Sequence, residues 1–294
     1  MAIVKTDSIH YSNIAAKIRE KTGEATTYLP SEMPSGIDAV YEAGKSAGGG
    51  NPSEYLDAFV EGATEITSNA SFVGSRVFRT NLTVKKATFP VATEILTEAF
   101  GHNSTIVEVY APKVTGVGES AFLNANNFEK IEIPEATQIA RTAFQGCTKL
   151  AQVSAPNMQR VYVAGFYKCR SLSEIYMPHL VYIESSVCGQ CAALSYVELG
   201  PLTQTLYIYR EAFNGCTSLT ALVIRATQFV KLENINAFTG TPIESGTGYI
   251  YVPSSLISNF QNATNWSTFA NQFRALEDYT VDGTTTGEFD RTKI

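Results

Sequence analysis

Four residue types recur together at a fixed distance along this chain. In AFQGCTKLAQVSAP (143–156) and GFYKCRSLSEIYMP (165–178), Phe144 matches Phe166, Cys147 matches Cys169, Leu150 matches Leu172 and Pro156 matches Pro178, each 22 residues apart. Followed outwards, the aromatic column reads Phe78, Phe100, Phe122, Phe144, Phe166 and Cys188, then Phe213 and Phe238 after steps of 25. The proline column reads Pro90, Pro112, Pro134, Pro156 and Pro178, then Pro201 after 23. A third column runs Val84, Ile106, Phe128, Leu150, Leu172, Leu194 and Leu219. Three columns that hold phase this long leave one architecture, a solenoid. No unit of about 22 residues can bury its own apolar side, so the units must stack.

Within each unit, alternation with period two marks a half-buried strand between the leucine and the proline. It places Ile131, Ile133, Ile175, Met177, Val197 and Leu199 inside. Proline cannot donate to a ladder and so should end each strand. A second short run gives another inward column of Val117, Ile139, Val161, Ile183 and Ile208. The residues between inward positions should face solvent: Tyr110, Glu132, Tyr176, Tyr196, Glu198, Tyr249 and Tyr251 on the first run, and Tyr162, Tyr182, Tyr207 and Tyr209 beside the second. Tyrosines interleaved with carboxylates suit sugar rings or a protein partner. The competing account is that tyrosine simply favours exposed strands.

Phase also decides what the cysteines do. Their column reads Asn81, Asn103, Ala125, Cys147, Cys169, Cys191 and Cys216, a position for a small side chain buried beside backbone groups where the chain turns. Cys188-Gly189-Gln190-Cys191 has the look of a redox or zinc motif, yet Cys188 stands in the phenylalanine column. A metal site would want a second such pair or a histidine partner. Packing is therefore the expected role, with no metal and no cofactor. Asn81 and Asn103 head Asn-x-Thr sequons, but their buried phase makes glycosylation improbable there.

Composition narrows the function classes. A net charge of −6 and a pI near 5.2 argue against nucleic acid as partner. No apolar run reaches the ~20 residues that span a bilayer, and residues 1–23 show no secretory leader. His10, His102 and His179 lie in unrelated contexts, so no catalytic triad is visible, and neither a P-loop nor a dinucleotide fingerprint is present. Glu174 and Glu198 fall on adjacent coils, at a separation a glycosidase could use, but exposed strand carboxylates are usually solvated. The expectation is a non-enzymatic protein.

The pattern A-F-x-x-C-x-x-L-x-x-(I/V)-x-(I/V/M)-P resembles the BspA-type leucine-rich repeats of bacterial surface proteins and of phages of gut bacteria, over about residues 64–253. Cys188, Ala125 and the 25-residue steps depart from the pattern and affect single loops. Residues 11–44 look like a short module at the amino ends of phage tail and other virion proteins. Residues 248–273 are similar to a capping segment of such solenoids, and YTVDGTTTGEFD (279–290) resembles the tails of the same phage proteins. Read residue by residue, the amino module is two amphipathic helices, with Ile9, Ile14 and Ile18 on one stripe and Ile37, Val40 and Tyr41 on the other. So thin a core calls for a partner, either another copy or another virion protein. GKSAGGGN (44–51) is a flexible linker, and Ser53 to Leu56 should open a helical cap.

The expected fold is thus an α/β repeat solenoid, mostly β. Residues 1–50 form the helical module and linker, 51–253 the capped solenoid, and 254–294 a helical cap and tail. The resemblance implies a tail- or fibre-associated virion protein, made in the bacterial cytoplasm and released by lysis. It would be homo-oligomeric, with a host-surface glycan or protein as partner and no membrane insertion. A bacterial BspA-type adhesin and a purely structural virion fibre are the alternatives. Removing residues 1–50 should leave a folded solenoid and abolish oligomerisation; an unchanged mass by light scattering would refute the anchoring role.

Overall fold

The computed structural model describes residues 63–294, apart from 80, 181, 203–205 and 229. The readings for Ile9, Ile14, Ile18, Ile37, Val40 and Tyr41, the glycine-rich linker and the helical cap at Ser53 lie outside the described residues. From residue 63 onward the described chain is a succession of short strands and turns, a mostly-β repeat solenoid. The alternating run of each unit forms its longer strand. β1 (Glu65–Thr67), β2 (Lys86–Thr88), β4 (Glu108–Tyr110), β6 (Lys130–Glu132) and β8 (Gln152–Ser154) make one parallel sheet. β10 (Glu174–Met177), β12 (Tyr196–Leu202), β14 (Ala221–Ala226), β16 (Tyr249–Val252) and β17 (Phe273–Ala275) make a second. The short runs form a third sheet of two-residue strands: β3 (Glu94–Ile95), β5 (Gly116–Val117), β7 (Gln138–Ile139), β9 (Arg160–Val161), β11 (Tyr182–Ile183), β13 (Tyr207–Ile208) and β15 (Lys231–Leu232).

Within each sheet a strand pairs in parallel with its counterpart one coil on, so the register is the repeat itself: Val109 faces Ile131, and Ile139 faces Val161; only between β8 and β10 is the pairing of the longer strands interrupted. A third set of hydrogen bonds ties the coils where no strand exists. Around each phenylalanine, alternate amides donate to the next coil: Ser120 to the Arg141 carbonyl, Phe122 to Ala143 and Asn124 to Gln145. The geometry requires a left-handed residue on either side. Arg76, Glu98, Ser120, Thr142, Ala164, Ser186 and Glu211 all have φ between 54° and 60°. The matching position after the ring is held by His102, Asn124, Lys168 and Gln190, or by Gly146, Gly215 and Gly240 at φ of 76°, 72° and 75°. Glycine adopts this conformation without strain; other residues carry a cost of roughly 1–2 kcal/mol each.

Inside the coils the phenylalanines stack. Ring centroids are 4.7 Å apart for Phe78–Phe100, 4.9 Å for Phe100–Phe122, 5.0 Å for Phe122–Phe144 and 5.4 Å for Phe144–Phe166. Such pairs contribute about 0.5–1.5 kcal/mol beyond their buried area. Cys188 interrupts the stack, and Phe213–Phe238 resumes it at 5.8 Å. At the carboxyl end, helices α1 (Pro242–Ser245) and α2 (Ile257–Asn262) precede a 3₁₀ segment, Trp266–Gln272. Trp266, Phe260 and Phe269 close the stack over Phe238, and the Trp266 indole donates to the Val230 carbonyl at 2.7 Å.

One strand departs from the expectation. The longer strands stop just before Pro90, Pro112, Pro134, Pro156 and Pro178, but β12 runs through Pro201, with a register shift between Leu199 and Leu202. The added residues of the last coils lengthen β12 and β14 to seven and six residues. Proline is tolerated at such an irregularity because no regular ladder bond is asked of it there.

From Asn103 onward the buried asparagine and cysteines of this column share one function. Asn103 donates through Nδ2 to the Phe78 carbonyl, 25 residues back, at 2.6 Å. The thiols of Cys147, Cys169 and Cys191 donate to Phe122, Phe144 and Phe166 over the same interval, at 3.0–3.1 Å. Ala125 has no donor for this bond. Ala125→Cys should therefore stabilise the fold by roughly 1 kcal/mol. A denaturation midpoint equal to or below that of the parent would refute this shared role.

Candidate functional site

The outward residues of the longer strands form a charged and aromatic face. Along one register line Glu65, Lys86, Glu108, Lys130 and Gln152 succeed one another, so opposite charges sit on neighbouring strands. Lys86 lies 3.6 Å from Glu108, and Lys130 lies 2.5 Å from Glu132 in the same strand. Hydrogen bonding to Glu132 raises the Lys130 pKa. Tyr110 stands 45% exposed at the edge of a shallow groove of about 230 Å³ that Glu108 and Glu132 also line. Farther on, Tyr176 is 57% exposed.

Four residues expected on this open face are covered in its second half. Tyr196, Glu198, Tyr249 and Tyr251 do project to the outer side, but the chain's own carboxyl end covers that side. After β17 the tail turns back, bridges Thr280 to Phe289, and packs Leu276 and Phe289 against Tyr196, Ala221, Val223 and Tyr251. Tyr196 is 5% and Tyr251 1% exposed, and Tyr249 is half-buried beside Arg274. Burial raises the pKa of both Tyr196 and Tyr251. Glu198 accepts from Arg225 Nε at 2.6 Å and from the Tyr196 hydroxyl. Alternation decides which side a residue leaves the strand; it does not say what later covers that side. Glu174 is bound by Arg291 at 2.5 Å, so each carboxylate of the glycosidase-like pair is held by an arginine.

The shorter strands carry a second face, and here the expected residues do come together. Arg160, Tyr182, Tyr207 and Lys231 occupy one register line on four successive coils. The two tyrosine rings stack at 5.9 Å, the Arg160 guanidinium lies 5.4 Å from the Tyr182 ring, and Lys231 Nζ lies 5.3 Å from that of Tyr207. Tyr162 joins through a 3.0 Å bond from Arg160, and Tyr209 through its ring contact with Tyr207. A cleft of about 380 Å³ beside the ladder is lined by Arg160, Tyr182, Glu184 and Tyr209. Burial, then the Glu233 charge, raises the Tyr209 pKa. Arg160 and Lys231 escaped the sequence reading, although the repeat phase placed both in line with Tyr182 and Tyr207.

Among the described residues no group of three metal-ligating side chains occurs, and no helix is long and apolar enough to cross a membrane. All five cysteines are free and buried.

This architecture is that of a leucine-rich-repeat solenoid with parallel strands on successive coils. The BspA-type leucine-rich-repeat family model matches six copies over residues 68–195 and 137–274, and the chain belongs to that family. A leucine-rich cell-surface protein of Faecalibacterium prausnitzii shares 23% identity, with a TM-score of 0.50 over 57% of this chain and 47% of that one. The match therefore spans about half of that protein and speaks for the fold. A leucine-rich-repeat protein of T. pallidum gives 23% identity and a TM-score of 0.48, over 60% of this chain and 80% of that one. One from Bacteroides ovatus gives 21% and 0.43, over 58% and 52%. No curated protein matches the chain.

Burial raises the pKa of every thiol, that of Cys216 to about 12. A raised folded pKa means this contribution to stability is complete below the unfolded thiol pKa near 8.5 and is lost as pH rises beyond it. At pH 8 a thiol-specific disulfide reagent should label no cysteine in the native protein and all five in denaturant. Rapid native labelling of Cys188 or Cys191 would overturn the packing account.

Proposed function

We propose that this chain is a non-enzymatic recognition protein that binds a cell surface through the outward faces of its coils. The observation that carries this reading is the ladder of Arg160, Tyr182, Tyr207 and Lys231. Earlier coils of the same line hold Glu94, Gly116 and Gln138, so the fold itself does not demand aromatic rings or cations there. Aromatic residues with arginine form the usual anchors of an interface.

Two placements share that chemistry. In one, the chain is a tail- or fibre-associated virion protein whose residues 1–50 join it to other virion proteins, as a homo-oligomer; the likeness of residues 11–44 and 279–290 to phage proteins supports it. In the other it is a BspA-type surface adhesin, a reading supported by the F. prausnitzii cell-surface neighbour. Mass spectrometry of purified virions and of cell-surface fractions from the source culture separates them. Recovery in neither, with the protein confined to the cytosol, would end both.

Within either placement, Tyr182→Ser with Tyr207→Ser should lower binding to the target cells about tenfold or more. The solenoid should stay folded by circular dichroism, because the inward column, Ile183 and Ile208, is untouched. Tyr110→Ser, on the other face, is the comparison. Unchanged cell binding by all three substitutions in a folded protein would leave a purely structural fibre as the better account.

A further inference from the structure

Where the tail crosses the second sheet it does not seal the surface completely. A cleft of about 460 Å³ remains, floored by Tyr196, Glu198 and Arg225 and rimmed by Tyr176 and Arg291. This volume lies within the range of small-ligand pockets. The Arg225 side chain is only 9% exposed. Its Nε donates to Glu198 at 2.6 Å and one terminal nitrogen, Nη1, to the Thr285 carbonyl at 2.7 Å. The other terminal nitrogen, Nη2, has no partner among the described residues. A guanidinium this buried ordinarily has its donors met, and an unmet one is costly.

The cleft's chemistry is mixed rather than cationic. Arg225 and Arg291 are balanced by Glu198 and Glu288, so the lining has no surplus charge to attract an anion. What it holds is a donor fork beside a carboxylate, with the exposed Tyr176 ring on the neighbouring strand. Adjacent hydroxyls of a sugar match that pair, one oxygen accepting from guanidinium while another hydroxyl donates to carboxylate. The apolar face of the same ring packs on an aromatic side chain.

We propose that this cleft binds a neutral saccharide, with Arg225 and Glu198 engaging its hydroxyls and Tyr176 stacking on its ring. The proposal rests on the surface-binding reading for the source of the sugar, but the cleft is a separate site from the Tyr182–Tyr207 ladder. It also assigns the tail a part in recognition, because Thr285 fixes the guanidinium and Arg291 lies 4.0 Å above the Tyr196 ring at the rim.

The test is titration calorimetry of the full chain with neutral disaccharides (lactose, maltose and cellobiose), N-acetylglucosamine, glucuronate, sialyllactose and inorganic sulfate. At least one neutral sugar should bind. Tyr176→Ser should weaken that binding about tenfold while leaving the fold intact, since the ring is exposed. Arg225→Lys keeps a cation beside Glu198 but removes the forked donor, and should weaken it similarly; protection of the tail from limited proteolysis shows that the tail remains docked. Three results would overturn the proposal: no neutral sugar binding at millimolar concentration, binding indifferent to Tyr176→Ser, or binding confined to glucuronate, sialyllactose or sulfate. Cell binding that survives alongside a silent sugar panel sinks the cleft alone. Sugar binding with no cell binding sinks the surface reading and leaves the cleft standing.

Discussion

The strand hydrogen bonds of this protein, and every second amide around each phenylalanine, run from each coil to the next, and little else in the structure is free to vary independently of them. A coil of about 22 residues has only its turns in which to satisfy amides of its own, as Leu123 does on the Ser120 carbonyl. The two sets of strands and the alternating amides around each phenylalanine therefore all donate across the coil boundary. Leaving such groups unmet inside the stack would cost ~1–3 kcal/mol each. Three lines of bonds fix both spacing and rotation of neighbouring coils. Fixed coils put phenylalanine over phenylalanine, and their turns force residues such as Ala164 into a left-handed backbone at φ 57°.

That constraint explains which parts of the molecule could be read without coordinates. A side chain whose environment is set by its own coil and the next has the repeat as its full description. The inward columns, the buried Asn81 and Asn103, and the buried cysteines are of this kind. So is the ladder through Tyr182 and Tyr207, whose phase also contains Arg160 and Lys231. The left-handed positions were hidden for a different reason. The residues that fill them are chemically unlike, from Arg76 to Ala164, and among the described residues it is chiefly the glycines Gly146, Gly215 and Gly240 that signal the backbone they adopt.

Tyr196 and Tyr251 mark the limit of such reading. Their burial depends on Leu276, Tyr279 and Phe289, which lie outside the repeat and have no phase relation to it. Arg291 reaches Glu174 across 117 residues and Arg225 reaches Thr285 across 60. A contact of that span follows from where the tail happens to turn back, which periodicity does not encode. Pro201 illustrates the same point on a smaller scale. Once added residues lengthen a coil, the rule that proline ends a strand loses the register on which it depends.

The separation of inner from outer residues also bears on how such a chain acquires a function. Inward side chains are held by neighbours on two coils, and replacing one disturbs both. Outward side chains meet chiefly the next outward residue, so exchanging glutamate, lysine or tyrosine there typically shifts stability by less than about 1 kcal/mol. Recognition chemistry can therefore be written onto a coil face with little effect on folding, as the change from Gln138 to Arg160 and Tyr182 along one register line illustrates. A bare sheet face is nonetheless a poor host for a small ligand, because it offers contact from one side only. By folding back over β12 and β14, the tail adds a second wall above that floor. It leaves a guanidinium and a carboxylate on the floor and a ring at the rim, and so converts part of a flat face into a concave site.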